Sequence, residues 1–322
     1  PITTSFDGAI NQLDKDLERH IKEYLSIRCG MQEIFSYPWM EESYVNAILQ
    51  STDGILALST PPSPSERFIR SSLLPNLCKA VAKNERYYGD FAIFETAQVF
   101  HDTDYTTPYD PREKLPSQRK NVAGAFVSAG KDVAALFRKA KGVVEMMPRY
   151  THMERYDFRQ VEKPVWADEV VWLNIYLGEE RIGDLALLSK RVSMACGIKN
   201  VNVMLFQLDQ DALVPLRSRT NTFTHLAEYP MTDYDISLLL DGEVKWADVA
   251  ETIEGVKNPL LHGASFVDEY RGKQVPAGKK SLTARLTIGS TEKTLTSAEI
   301  EEVANSVLKK LSKRFGAELR SR

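Results

Sequence analysis

The closing segment of the chain constrains its fold most tightly, because apolar residues there switch between strand-like and helix-like periods over short distances. Ser281-Leu282-Thr283-Ala284-Arg285-Leu286-Thr287-Ile288 alternates polar with apolar side chains, so it reads as a strand with one buried and one open face. Asp235 to Asp241 and Leu261 to Tyr270 read as two further strands, with a short helix from Lys245 to Glu254 between them. Thr296-Ser297-Ala298-Glu299 has the capping-box pattern and launches a helix with Ile300, Val303, Val307, Leu308 and Leu311 on its apolar face. Gly316 stops that helix, and Ala317 to Arg320 adds an edge strand. The order is βαββαβ, the split arrangement of a ferredoxin-like module.

Upstream, Asn11 to Cys29 reads as an amphipathic helix with Leu13, Leu17, Ile21, Tyr24, Leu25 and Arg28 at helical spacing and Gly30 as its stop. Glu33 to Trp39 reads as a short strand, Ser51 to Pro64 as a loop, and Arg70 opens a helix that passes through Ala80, Val81 and Asn84. Asp90 to Phe100 is a buried strand, whereas His101 to Lys120, with Pro108, Pro111 and Pro116, is read as an exposed excursion. Asn121 to Ser128 is a strand, Lys131 to Met146 a helix, Val170 to Leu177 and Arg181 to Leu187 a strand pair across Gly178-Glu179-Glu180, and Val203 to Leu208 a last strand. Strands with excursions of irregular length favour an α+β domain on a mainly antiparallel sheet. A polar, aperiodic stretch from Arg217 to Leu226 places the domain boundary, giving domains 1–220 and 227–322. No internal repeat is found.

A length of 322 residues suffices for two ordinary domains, and 41 Lys and Arg against 44 Asp and Glu leave a net charge of −3. A polycation that grips nucleic acid through bulk charge is excluded, so any such contact is local. Cys29, Cys78 and Cys196 lie far apart in no metal-ligand spacing, which suggests neither a disulfide scaffold nor a zinc site and points to a reducing, cytoplasmic compartment. No apolar run is long enough to span a membrane, and Pro1-Ile2-Thr3-Thr4 does not open a signal peptide. A start at proline without methionine is read as an excised portion of something longer.

No Gly-rich phosphate loop, Gly-x-Ser-x-Gly elbow or His-Glu-x-x-His helix occurs. His20, His101, His152, His225 and His262 are dispersed, and Glu41-Glu42 and Glu301-Glu302 read as solvated helix faces. Lys309, Lys310, Lys313 and Arg314 lie where cations offset a helix dipole. Trp39, Phe91, Phe94, Phe100, Trp166 and Trp172 read as core or subunit contact. One charge feature stands out: Arg271, Lys273, Lys279, Lys280 and Arg285 follow Tyr270 with no acidic residue among them. If the alternation holds, Ser237, Ser281, Thr283 and Arg285 share the open sheet face with Tyr270 at its edge. Polar groups and an aromatic ring on a sheet suit unpaired RNA bases, which stack and offer their edges. A solvated loop and an ordinary exposed sheet face account for the same residues.

These residues also carry a resemblance. Tyr229-Pro230 with Asp235-Ile236-Ser237, Asp268-Glu269-Tyr270-Arg271-Gly272, Pro276 to Leu282, Thr294-Leu295-Thr296 with Glu299, and Phe315 to Arg320 resemble the successive motifs of the anticodon-binding domain that closes the phenylalanyl-tRNA synthetase β subunit. Gly30 to Trp39, Arg70 to Pro75 and Phe91 to Phe100 resemble that subunit's synthetase-like core. The resemblance implies a noncatalytic class II synthetase-like antiparallel sheet domain followed by the ferredoxin-fold module. It implies assembly with an α subunit that performs the aminoacylation, pairing of two αβ units in a heterotetramer, and recognition of the anticodon of tRNA(Phe). ATP and Mg would serve the complete ligase, with no cofactor, metal site or editing site in this segment, and neither membrane nor DNA as partner. Carried over by motif, Asp268, Tyr270 and Ser281 are the expected base contacts, with Arg271, Lys279, Lys280 and Arg285 for the phosphate backbone. Tyr234 stands where the family usually has an arginine. Two other readings compete: a free-standing β-subunit-like protein with a structural or regulatory role, and a self-sufficient small-molecule enzyme, which would need a pocket holding two convergent ionisable groups.

Overall fold

The structure, a computed structural model, describes residues 12–103, 115–216, 228–272 and 274–320. Two compact units divide the chain, 1–221 and 222–322.

The first unit opens with helix α1 (Leu13–Glu23), continued by a widened π-helical turn over Tyr24–Arg28. Leu17, Ile21, Tyr24 and Leu25 are buried as the spacing requires, but Arg28 is exposed with its guanidinium 5.7 Å from the Tyr150 ring centroid. The extra residue in a π-turn shifts the helical phase and moves Arg28 off the apolar face. The expected strand over Glu33 to Trp39 is two short pieces, β1 (Gln32–Glu33) and β2 (Trp39–Met40). The break has a chemical cause: the Ser36 backbone N–H and hydroxyl both donate to the Glu95 carboxylate, drawing the chain out of the ladder.

Helix α2 (Glu42–Ile48), strand β3 (Phe68–Ile69) and helix α3 (Leu74–Asn84) precede β4 (Asp90–His101) and β5 (Ser117–Ser128). Ser117 to Lys120, read from sequence as part of an excursion, pair with His101 to Gln98 of β4. Backbone pairing overrides the polar composition there. The remainder of the expected excursion, 104–114, lies outside the described residues, as does the expected boundary at 217–226. Helix α4 (Val133–Thr151) runs past its expected end at Met146 and holds Pro148 in its last turn, closing at His152 with a left-handed φ of 57°. Then come β6 (Asp157–Arg159), β7 (Ala167–Leu177), β8 (Glu180–Leu188), α5 (Lys190–Ala195), β9 (Asn202–Asp209) and α6 (Gln210–Leu213).

The large sheet has the order β1-β4-β5-β9-β8-β7-β6 and is antiparallel except for the β1–β4 pair. Helices cover both faces. Met204, Phe206 and Leu208 of β9 pack with α1 and α4, whereas Val203 and Leu205 pack with α3 and α5. Burial on both faces is why these strands read as nearly continuous apolar runs.

The second unit contains β10 (Thr232–Asp241), α7 (Trp246–Glu254), β11 (Leu261–Tyr270), β12 (Lys279–Ile288), α8 (Ser297–Phe315) and β13 (Glu318–Leu319). Its sheet order is β11-β12-β10-β13, antiparallel throughout, which makes it a ferredoxin-like βαββαβ fold. The capping box starts α8, with Thr296 and Glu299 exchanging backbone hydrogen bonds. Gly316 ends it at a φ of 62°, a conformation that costs any residue with a Cβ.

Candidate nucleic-acid interface

In the second unit α7 and α8 cover one sheet face, burying Ile236, Leu238 and Leu240 of β10 together with Leu282, Ala284, Leu286 and Ile288 of β12. The alternate residues of the same strands stand on the open face, with Asp235 opposite Arg285, Ser237 opposite Thr283 and Leu239 opposite Ser281. Tyr234, in the position where the resemblance anticipated an arginine, packs partly buried against the helix-covered core. On β11, Gly263 and Ser265 share the open face, opposite Thr287 and Arg285. Unbroken alternation from there would turn Asp268 and Tyr270 toward the helices. A bulge between Phe266 and Asp268 leaves Val267 without a partner and reverses the phase. Asp268 therefore pairs with Thr283 and Tyr270 with Ser281 on the open face, while Glu269 faces Leu282 on the covered side.

The charges expected to face a phosphate backbone are mostly engaged within the unit. Arg285 donates from Nε and Nη2 to the two Asp235 oxygens at 2.7 and 2.9 Å, and this hydrogen bonding holds the Asp235 carboxyl below its ordinary range. Arg271 donates to Glu269 and to the Gly242 carbonyl, both at 2.9 Å. Lys280 points to the covered side, is only 4% exposed, and donates to Glu269 at 2.8 Å. The expectation of Lys280 beside the phosphate backbone is thus corrected, since it is buried on a carboxylate: it follows Lys279 by one residue, and the pleat sends the two side chains to opposite faces. Partial burial alone would raise the Glu269 carboxyl, but the hydrogen bonds from Lys280 and Arg271 bring it below its usual value. Among the described residues Lys279 and Asp268 have no ion pair. Lys273 lies outside them.

Ser281 is on the open face as the alternation requires, yet is only 4% exposed. Two residues that sequence reasoning missed stand above this region. The Arg320 guanidinium lies 5.5 Å from the Tyr270 ring centroid and donates to the Gln274 side chain at 3.0 Å. Arg320 closes the motif from Phe315, but nothing in a linear sequence says that it meets an aromatic ring of the opposite edge strand.

The first unit offers a depression between β5, β8 and β9 lined by Ser72, Asn121, Arg181, Asp184, Gln207 and Asp209. Its ionisable groups are committed: Arg181 bonds Glu162 and Asp184, and Asp209 caps α6 and pairs with Arg119. A buried pair, Arg70 with Glu95 at 3.1 Å, braces the chain nearby, with Asn76 and Ser36 in the same network. Burial lowers the Arg70 pKa despite the adjacent carboxylate. On the surface Phe35 and Tyr37 are 80% and 71% exposed, and Tyr37 stacks on Trp39 at 4.6 Å. No group of three or more potential metal ligands occurs among the described residues, and none of their helices is long and apolar enough to cross a membrane.

Residues 3–210 match the family described as the phenylalanyl tRNA synthetase beta chain CLM domain. The chain belongs to that family. Residues 227–320 match the ferredoxin-fold anticodon binding domain, so each unit carries its own family match. The phenylalanine--tRNA ligase beta subunit of Carboxydothermus hydrogenoformans is 29% identical over 99% of this chain and 40% of its own length. The protein of the same name from Oceanobacillus iheyensis is 27% identical over 95% of this chain and 38% of its own length. The chain thus spans about two fifths of these relatives. Among solved structures, pyrrolysyl-tRNA synthetase from Desulfitobacterium hafniense superposes with a TM-score of 0.50 and 11% identity, covering 63% of this chain and 69% of that one. That likeness concerns the fold, and it agrees with the class II synthetase-like architecture expected from sequence.

Proposed function

We propose that this chain is the noncatalytic portion of a phenylalanine-tRNA ligase β subunit that assembles with the α subunit and recognises the anticodon of tRNA(Phe). Domain 227–322 reads the RNA, and domain 1–220 docks on the α subunit within a heterotetramer of two αβ units. Aminoacylation, with its ATP and Mg, belongs to the α subunit, and the site of action is the cytoplasm. The observation that carries the reading is the common open-face position of Asp268, Tyr270 and Ser281, to which the bulge at Val267 brings the first two.

The chemistry suits an unpaired base. An ionised carboxylate only accepts hydrogen bonds, so Asp268 selects a base edge rich in N–H donors, such as the Watson–Crick edge of guanine. Tyr270 supplies a stacking surface and is 40% exposed. The paired charges around it make the phosphate contribution small, leaving Lys279, Lys273 and displaced Arg285 or Arg271 to follow the backbone. On the first unit, exposed Phe35 and Tyr37 supply apolar area for the α subunit, as subunit interfaces favour aromatic residues.

The test is binding of tRNA(Phe) and of the same tRNA with a changed anticodon, over a salt series. Preference for the cognate anticodon is expected, with Asp268→Ala and Tyr270→Ala each weakening it about tenfold. Equal binding of the two RNAs, unaffected by either substitution, would overturn anticodon reading. Co-purification of the chain with the α subunit tests assembly, and its failure would remove that part.

A further inference from the structure

Arg320 follows β13, whose Leu319 pairs with Leu238. Its backbone N–H donates to the Ser237 carbonyl at 2.9 Å, which sets it in the cross-sheet row of Ser237, Thr283 and Asp268. β13 and β11 are opposite edges of the sheet, yet the Arg320 guanidinium and the Tyr270 ring meet over its open face, where Arg320 also donates to the Gln274 side chain. Asp268 ends the same cross-sheet row. Asp268 forms no ion pair with it, and the planar cation lies at the aromatic ring instead. Gly272 confines the same ring from another side, since a Cβ there would stand 2.3 Å from the Tyr270 hydroxyl oxygen. Tyr270 is therefore held by contacts from a glycine of its own edge and an arginine of the far edge, and it still keeps 40% of its surface exposed.

We propose that Arg320 is a positioning residue for single-stranded RNA: it fixes the Tyr270 ring as the middle layer of a stack whose outer layer is an unpaired nucleobase. The proposal rests on the anticodon-face reading above and adds to it a residue from the far edge of the sheet. Cation–π attraction orients the ring before RNA arrives, so less side-chain freedom is lost on binding. The guanidinium also adds a positive layer beneath a stack that a ring alone would leave uncharged. Fixing an aromatic platform favours a flat, unstacked base and does nothing for a paired stem, whose bases offer no free face.

The test uses the 322-residue chain and a hairpin with the sequence of the tRNA(Phe) anticodon arm, compared with hairpins in which each anticodon nucleotide in turn is abasic. In the wild-type chain, removing the stacked base weakens binding about tenfold. Arg320→Ala is expected to shrink that ratio to about twofold while leaving affinity for the abasic hairpin within about twofold of wild type. Arg320→Lys, which keeps the charge and loses the plane, recovers less than half of the ratio. Unchanged melting temperatures confirm that the variants fold; a variant that melts early is replaced by Arg320→Gln, with the same ratio measured.

An equal loss for intact and abasic hairpins would make Arg320 a plain phosphate contact, and tighter binding by Arg320→Ala would make it an occupant of the base position. Either result overturns the proposal. A full base-dependent ratio in Arg320→Ala, lost in Tyr270→Ala, also overturns it while leaving the anticodon face intact. Absence of base dependence in the wild-type chain, unaltered by Tyr270→Ala, would overturn the reading of the face itself.

Discussion

Glu299 shows how much one side chain can be asked to do. It accepts from Lys293, from the Thr296 backbone N–H and from the Thr296 hydroxyl, which together lower its pKa to about 2 from the usual 4.5. A carboxyl depressed in the folded state binds its proton more readily when unfolded, so its stabilisation is present above the ordinary value and disappears as pH falls from about 4.5 to about 2. The difference in melting temperature between wild type and Glu299→Gln is therefore expected to be constant near neutrality and to vanish over that window. A difference that persists at pH 2 would show that the cap does not depend on the charge. Gly183 answers to sterics instead: a Cβ there would lie 2.0 Å from the Gln207 carbonyl oxygen, because β8 pairs with β9 at this point without room for a side chain. Gly183→Ala is expected to cost about 1–3 kcal/mol of stability of the first unit, measured by urea unfolding. The two residues differ in how far sequence discloses their roles. Glu299 was legible through its capping-box spacing, whereas Gly183 looks like any strand glycine until its neighbour is placed.

β12 sorts its own two lysines. Lys279 stands on the open face without an ion pair among the described residues, and Lys280, one residue later, is buried against Glu269. Lys279→Ala is expected to weaken RNA binding modestly, reduce the salt slope by just under one, and leave the melting temperature unchanged. Lys280→Ala is expected to lower stability by about 2 kcal/mol, since it strips a nearly buried ion pair of one partner. Calorimetry together with filter binding separates the two; identical behaviour of both variants would mean that the strand does not divide them. β11 works on the same principle with a different device. Its bulge at Val267, not its composition, decides that Asp268 and Tyr270 look outward.

Over the whole chain, a net charge of −3 and the internal pairing of Arg271, Lys280 and Arg285 describe a protein that does not attract RNA by field alone. The slope of log affinity against log salt for a single-stranded loop is expected to be no steeper than about −2, which corresponds to two or three neutralised phosphates. A slope near −5 would mean that the paired arginines open fully onto the backbone. Sequence by itself determined the large outlines, because they rest on local rules. Alternation in 281–288, the capping box at Thr296 and the stop at Gly316 sufficed for the βαββαβ order, and apolar runs buried on both faces marked the strands of the first unit. Tertiary structure alone decided what depends on register and reach. The Glu95 carboxylate broke the strand expected over Glu33 to Trp39, the pairing of β4 with β5 recruited Ser117 to Lys120, and the bulge set the outward face of β11. Arg320 met Tyr270 although the sheet order places their edges apart, because both side chains extend over one open face. Spacing along a chain records which residues share a face of one element. It does not record which elements become neighbours, because that is settled by the pairing of backbone groups and the closing of the core.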